Sequence, residues 1–429
     1  MLGISTTNAR VGGFRGLGKI AKLIIAYFAR VTAAGGVYEG KECLATKLNS
    51  LDAIQLLDNA SLVTIPSGYK SGVVYSQVPT SGAGDLDFTR ASTATRINSS
   101  SLIESVATGV PRLTYPIGGG CPSLLFEAER TNLVTYSNDF SNAAWTKSGT
   151  IVTPNYAISP DGTQNATRLQ LPFPNTQLFQ AVGVQDSSTS SIYIKGTAGQ
   201  TIALYNSFLG AGTYELRTLN GEWQRITVSS VGTILSYFAI SNFLSATATD
   251  ILIYGSQLEL GSYPTSYIPT TTATVTRLAD TSETFGLSSL IGQTEGTFFI
   301  DAKFLEAAVE GWTIYDGVSI FENSINIGCA GGTIRALISS NSVYTAVDSG
   351  VNGLAQFNKI ALVYKNGASA LFVNGTKYAF NPTVSFISTL SVLRLGEGFW
   401  FGNRGMQQNQ MLFYKTALSD AKAIALTTI

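Results

Sequence analysis

The sequence predicts a mainly β protein: two antiparallel β-sandwich (jelly-roll) domains in tandem, preceded by an N-terminal α-helical hairpin and an extended connector. Three observations carry that expectation. A chain of 429 residues is too long for one ordinary core. Helical periodicity is confined to residues 1–60 and the C-terminal end, whereas from Leu133 onward short apolar runs alternate with Gly, Asn and Pro turns. Charged residues make up only 13% of the chain, against roughly a quarter in an average protein. Gly, Ser, Thr and aromatic residues stand in their place, as in a β-rich structural protein.

Residues 1–60 form the first region. An aperiodic arm (1–16) leads into Leu17, Ile20, Ile24, Tyr27, Phe28 and Val31, which recur at helical spacing until Gly35-Gly36 ends the run. A second helix, about Lys41 to Asn59, places Leu44, Leu48, Leu51 and Ile54 or Leu57 on one face. Two such helices expose more apolar surface than they can bury on each other. The apolar residues from Leu17 to Val31, with Leu44, Leu48 and Leu51, are therefore the expected docking and oligomerisation surface. The run Gly13 to Ile20 approaches a phosphate-binding loop, but Ile20 supplies no hydroxyl for magnesium and no strand precedes it. The uninterrupted apolar core Leu23 to Ala29 is only just long enough for a signal peptide. A membrane span needs about 20 mostly apolar residues, so a docking hairpin is the reading and no membrane partner is expected.

Residues 61–133 read as a wrapping connector. From Asp85 to Leu133, Ser, Thr and Asn alternate with scattered apolar anchors such as Phe88, Ile97, Ile103 and Leu113, broken by Pro111, Pro116 and Gly118–Gly120. That is extended chain laid on a neighbouring surface. Its acid pairs, Asp85/Asp87 and Glu127/Glu129, are expected to meet Arg90, Arg96, Arg112 or Arg130 and pin the wrap.

Strand-like runs resume at 178–184, 191–196, 200–205, 223–228 and 250–260, and place one sandwich over 134–272. A polar linker, Thr270 to Thr276, precedes the second, over 278–429. There the runs are 296–304, 312–316, 359–367 and 369–377, the last two forming a hairpin about Asn366-Gly367.

Composition also excludes function classes. Lys plus Arg (27) equals Asp plus Glu (27), so nothing draws the chain towards nucleic acid. Histidine is absent, which removes the commonest general base and metal ligand. Cys43, Cys121 and Cys329 are odd in number and far apart, and are expected to be buried free thiols. No dense Asp/Asn loop marks a calcium site, and neither a metal nor a cofactor is expected.

The connector's wording, F-T-R-A-S-T-A-T-R-I-N followed by G-C-P-S-L-L-F-E-x-x-R-T-N-L, resembles a module of tailed-phage virion proteins, including fibre and decoration proteins. The opening N-L-V-T-Y-S-N-D-F-S-N-A-A-W and close G-S-Y-P-T-S-Y-I-P-T of the first sandwich resemble carbohydrate-binding-module-like jelly rolls of phage proteins. The order after Leu278, with A-L-F-V-N-G and a late Y-x-x-A-L-S-D, resembles the laminin-G or concanavalin-A-like lectin sandwich. The resemblance implies a structural component of a virion, whether fibre, spike or head decoration. It would be made in the host bacterial cytoplasm, with other virion proteins, sister copies (a trimer, by analogy with fibres) and a host-surface glycan as partners.

Sugar recognition needs aromatic faces beside amide or charged donors. Trp312, Tyr315, Phe399, Trp400, Asn403 and Arg404 are the candidates, with a core or interface plug as the rival reading for the aromatic run. Enzymes of the concanavalin-like class carry alternating acids, E-x-D-x-E, and a two-carboxylate centre. The acids of 280–429 are instead scattered singly, so catalysis is not expected. The alternatives are a glycan-degrading tailspike and a prophage-encoded bacterial surface adhesin.

Overall fold

A computed structural model describes residues 18–428 apart from 208–213, 233, 308, 399–401 and 404. Helix α1, Lys19–Ala33, ends as its glycines require: Gly35 adopts φ +72°, and Gly36 N–H donates to Val31 O at 2.9 Å. Helix α2, Lys41–Ala53, stops short of Asn59 by the same device. Gln55 takes the left-handed position at φ +57°, and Leu56 N–H donates to Leu51 O at 3.0 Å. A glutamine gives no stop signal in sequence, so the expected helix ran too far.

The C-terminal sandwich pairs an eight-stranded sheet with a six-stranded one. The first runs Thr376–Phe380, Ser369–Val373, Asn358–Lys365, Glu295–Phe304, Met406–Tyr414, Ser123–Phe126 and Arg112–Thr114, with Leu62–Thr64 also on Met406–Tyr414. The second runs Ser282–Thr284, Val392–Leu395, Val309–Tyr315, Asn323–Ala330, Thr333–Ser340 and Val343–Asn352. Side chains that alternate along a strand reach opposite faces. Phe298, Ile300, Ile360, Leu362, Leu371, Met411 and Phe413 face the six-stranded sheet in one core. Phe299, Ala361, Val363, Phe372 and Leu412 face outward into a second core. Both faces being buried explains why these strands read as unbroken apolar runs.

That second core is completed by the helices. Tyr27, Val31, Leu44, Leu48 and Leu51 are buried there, and Ile20, Ile24 and Phe28 pack partly buried against it. Leu418, Ala423 and Leu426, from or just before helix α3, Asp420–Thr428, are buried in it too. The expectation of an outward docking surface is therefore corrected: the apolar faces are occupied by the chain's own sheet. Leu17 lies outside the described residues.

The connector is more than a wrap. Three of its segments, Leu62–Thr64, Arg112–Thr114 and Ser123–Phe126, are strands of the eight-stranded sheet, and Leu86, Phe88, Leu113, Leu124 and Phe126 enter the inner core. The boundary at 278 thus cuts through one domain. The short strands escape a sequence reading because each has only three or four residues. The expected strand 369–377 is itself a hairpin. Asn374 (φ +48°) and Gly375 (φ +83°) make the two-residue turn that joins Val373 to Thr376.

The middle sandwich has two five-stranded sheets. One is ordered Thr146–Ser148, Gln177–Gln185, Ile234–Ser241, Thr201–Tyr205 and Tyr214–Thr218. The other is Ile151–Ala157, Ala166–Gln170, Asp250–Leu260, Ser188–Gly196 and Gln224–Ser229. Its core, around Trp145, Leu169, Ile192, Phe238 and Ile253, is separate from the other two. The chain leaves for this sandwich through Arg130–Asn132 and returns through Val275–Arg277, and the two segments pair antiparallel. The middle sandwich is therefore an insertion on a two-stranded neck, and the composite sandwich is built from sequence on both sides of it.

Cys43 and Cys121 form a disulfide, with Cα atoms 5.6 Å apart. This corrects the expectation of free thiols for both. Cys121 follows the loop of Gly118–Gly120, which the wrap brings against the start of α2, a proximity that a separation of 78 residues conceals. Cys329 is free and buried, and burial pushes its thiol up to about 11.

Candidate functional site

At the base of the neck lies a cluster of charges removed from water. Glu127 accepts from Arg112 Nη1 at 2.7 Å, Arg277 Nη1 at 2.7 Å, and Ser266 N and Oγ, each at 2.7 Å. Asp280 accepts from Arg90 Nη1 at 2.9 Å, from Glu127 N at 2.9 Å, and from Arg112. Arg90 and Arg112 come from the connector, Ser266 from the end of the middle sandwich, and Arg277 and Asp280 from the returning strand and the residues after it. The side chains of Arg90, Arg112 and Asp280 have no exposed surface. Burial opposes ionisation of Glu127, but Arg277, Arg112 and Ser266 outweigh it and hold the carboxyl at about 2.

Of the expected pairings, Glu127 with Arg112 forms. Asp85 instead meets Arg30 of α1, and Arg96 binds Glu39 at 2.9 Å and Glu104 at 2.5 Å. Arg277 and Asp280 were not among the expected partners. The signal for them was the run T-R-L-A-D (276–280), a cation and an acid directly after a polar linker.

A concave site of a different kind opens on the outer face of the eight-stranded sheet. It encloses about 390 Å³, lined by Asp301, Phe357, Lys359, Asn374, Asn409, Thr427 and Thr428. Asp301 and Lys359 are cross-strand neighbours. Asp301 also receives Asn409 Nδ2 at 3.3 Å and Lys47 Nζ of α2 at 3.4 Å, both long contacts that leave acceptor capacity. Burial pulls the Lys47 ammonium below its ordinary value, against the opposing effect of Asp301. The left-handed turn fixes Asn374, whose Oδ1 accepts Lys359 N–H at 2.9 Å and whose Nδ2 donates to Asn358 at 2.8 Å. Phe357 is 36% exposed and so keeps ring surface for contact. A carboxylate, amides, an ammonium and an aromatic edge thus share one mouth, a composition that orients a polyhydroxylated ligand.

The sequence-derived candidates fall elsewhere. Trp312 is fully enclosed, packed edge-on against Phe304, with its indole N–H donated to Gln408 Oε1 at 2.6 Å. A ring with no exposed face cannot stack on a sugar, so this assignment is corrected. Tyr315 is buried as well, its hydroxyl bonded to Glu283 and its ring under the Arg394 guanidinium. Phe399, Trp400 and Arg404 lie outside the described residues. Asn403 belongs to the short strand Gly402–Asn403, which pairs with Glu397–Gly398. The mouth at Asp301 was missed because its residues come from five separate segments, each unremarked alone.

Among the described residues, no group of His, Cys, Asp or Glu is arranged to hold a metal ion, and no helix is long and apolar enough to cross a membrane. No protein-family model and no curated protein matches the chain. Among solved structures it is similar to the carbohydrate-binding module of the Ruminococcus gnavus IT-sialidase bound to alpha2,3 sialyllactose. That likeness has 21% identity over 33% of this chain and 91% of that one, at a TM-score of 0.29. Domain 4 of a Geobacillus stearothermophilus extracellular arabinanase, in complex with arabinotriose, is 16% identical over 39% of this chain and 83% of that one, at a TM-score of 0.27. The receptor binding domain of a botulinum neurotoxin C/D mosaic serotype is 12% identical over 33% of this chain and 39% of that one, at a TM-score of 0.27.

Proposed function

We propose that this chain is a non-catalytic structural protein of a tailed-phage virion that presents its sandwiches to host-surface glycan. The concavity at Asp301 carries the adhesive half of the reading. Asp301 accepts sugar hydroxyls, Asn374, Asn409 and Lys359 donate to ring and hydroxyl oxygens, and Phe357 covers an apolar ring edge. Among the residues lining it, Asp301 alone bears a carboxylate, whereas glycoside hydrolysis generally takes two. The virion half rests on the connector's resemblance to phage modules. The helices being spent on the chain's own sheet, contacts with sister copies and other virion proteins are assigned to other surfaces.

The test is binding of the whole protein to polysaccharide extracted from the host envelope, compared with the Phe357→Ala/Lys359→Ala double variant. Both side chains sit at the rim, so the variant keeps its fold. The wild type should be retained and the variant lost, with no new reducing ends released. Equal retention of both proteins, or release of reducing ends, would overturn the reading.

A further inference from the structure

The middle sandwich carries a second concavity, of about 560 Å³, lined by Tyr136, Asn138, Asp139, Ser141, Pro154, Asn155, Thr270 and Thr271. Two of these residues hold backbone conformations that L residues rarely adopt: Tyr136 at φ +50° and Asn155 at φ +53°. For asparagine this is a tolerated conformation, but for a bulky tyrosine it is an outlier. Tyr136 is held there from both sides, its N–H donated to Thr271 O at 2.7 Å and its carbonyl accepting Trp145 Nε1 at 3.0 Å. Asn155 sits where the pairing of Ile151–Ala157 with Ala166–Gln170 shifts register between Thr153 and Ala157. Such irregularities re-aim side chains. A strained backbone held at Tyr136, beside a register shift at Asn155, is the kind of feature that clusters at binding sites.

We propose that this concavity binds one uncharged hexopyranose unit, as a glycan site separate from the one at Asp301. The chemistry selects that class. The lining offers a tyrosine ring and a proline as an apolar platform, and amides and hydroxyls as donors and acceptors. The Asn155 side-chain amide is exposed; among the described residues it is the backbone carbonyl of Asn155, not the amide, that accepts Gln164 Nε2 at 3.2 Å, which leaves the amide for a ligand. Asp139 is the one charged residue in the lining, its Oδ1 accepting Ser141 Oγ at 2.5 Å. A lone carboxylate accepts sugar hydroxyls and repels an acidic sugar. The site at Asp301 differs in having Lys359 in its lining.

Saturation-transfer NMR on the full chain tests this, with glucose, galactose, N-acetylglucosamine and N-acetylneuraminic acid as probes. At least one neutral sugar should give a signal, and N-acetylneuraminic acid should give none that depends on this site. Asn155→Gly removes the amide while suiting the left-handed backbone, so its melting temperature should be unchanged or higher. Its affinity for the neutral sugar should fall about tenfold, the loss of a well-formed hydrogen bond in a preorganised site. Tyr136→Phe, which keeps the ring, should weaken binding less, and Phe357→Ala/Lys359→Ala should leave this signal intact. The proposal is overturned if no neutral sugar binds. It is equally overturned if binding survives Asn155→Gly unchanged, or disappears only in the Phe357/Lys359 variant.

Discussion

Arg130 and Arg277 are direct cross-strand partners in the neck. Like charges so placed repel, yet each is drawn to carboxylates of its own. Arg277 reaches Glu127 at 2.7 Å, whereas Arg130 lies 3.6 Å from Glu306 and 3.9 Å from Glu259. Glu259 belongs to the middle sandwich, while Glu127 and Glu306 flank it on the composite one. The neck is therefore an electrostatic joint whose charges come from both bodies. A buried joint of this kind adds little net stability over an apolar one, but breaking it by removing one partner is costly.

The first expectation concerns acid. Glu127 is held at about 2, below its ordinary 4.5. A depressed carboxyl contributes stability that is fully present above the unfolded value and is lost as pH falls through the folded one. The joint should hold through pH 4.5 and weaken towards pH 2. Circular dichroism and tryptophan emission followed over that range should show the loss concentrated at its lower end. Complete unfolding near pH 4 would contradict this.

Reduction should loosen the N-terminal region. The Cys43–Cys121 bond closes a loop of 78 residues in separation, worth on the order of 4 kcal/mol by loop-closure entropy. Thermal melts with and without reductant should differ, and Cys43→Ser should reproduce the reduced curve. Identical melts would show that α2 is held by packing alone.

Residues 133–272 should fold alone and residues 278–429 should not. The first fragment contains the whole core around Trp145 and Phe238. The second lacks Leu113, Leu124 and Phe126 of the inner core and helices α1 and α2, whose side chains share the outer core with Phe299 and Leu412. Dispersed amide resonances from the first and aggregation of the second are the expected outcomes. A soluble, cooperatively melting second fragment would mean that the connector strands are dispensable.

This fragment test marks where the sequence stopped being legible. The long strands could be read because apolar runs bounded by turn residues extend over many positions, as in Glu295–Phe304 and Asp250–Leu260. The helical starts followed apolar spacing. What could not be read was partnership across the insertion. Arg112 and Asp280 lie 168 positions apart, and the three connector strands are too short to show a period. The disulfide and the mouth at Asp301 were hidden for the same reason, being products of a wrap rather than of local pattern. Trp312 illustrates the converse: its residue type suggested a sugar platform, but its neighbours on both faces made it core.

If the chain is a virion component, an antibody against it should decorate intact particles of the phage that encodes it at regular positions. Electron microscopy of labelled particles reads this directly. Label confined to lysate debris would remove the virion reading and leave that of an adhesin.

The most direct test of the joint is calorimetry of Glu127→Gln. The substitution keeps the side-chain shape but leaves Arg112 and Arg277 buried without that charge, at a cost of about 3–5 kcal/mol. The wild type should melt in one transition, because the joint couples the composite and inserted sandwiches. The variant should melt in two, with the inserted sandwich retaining its own higher transition. A single variant transition at the wild-type temperature would contradict the account, since the two bodies would then be coupled by something other than this buried charge.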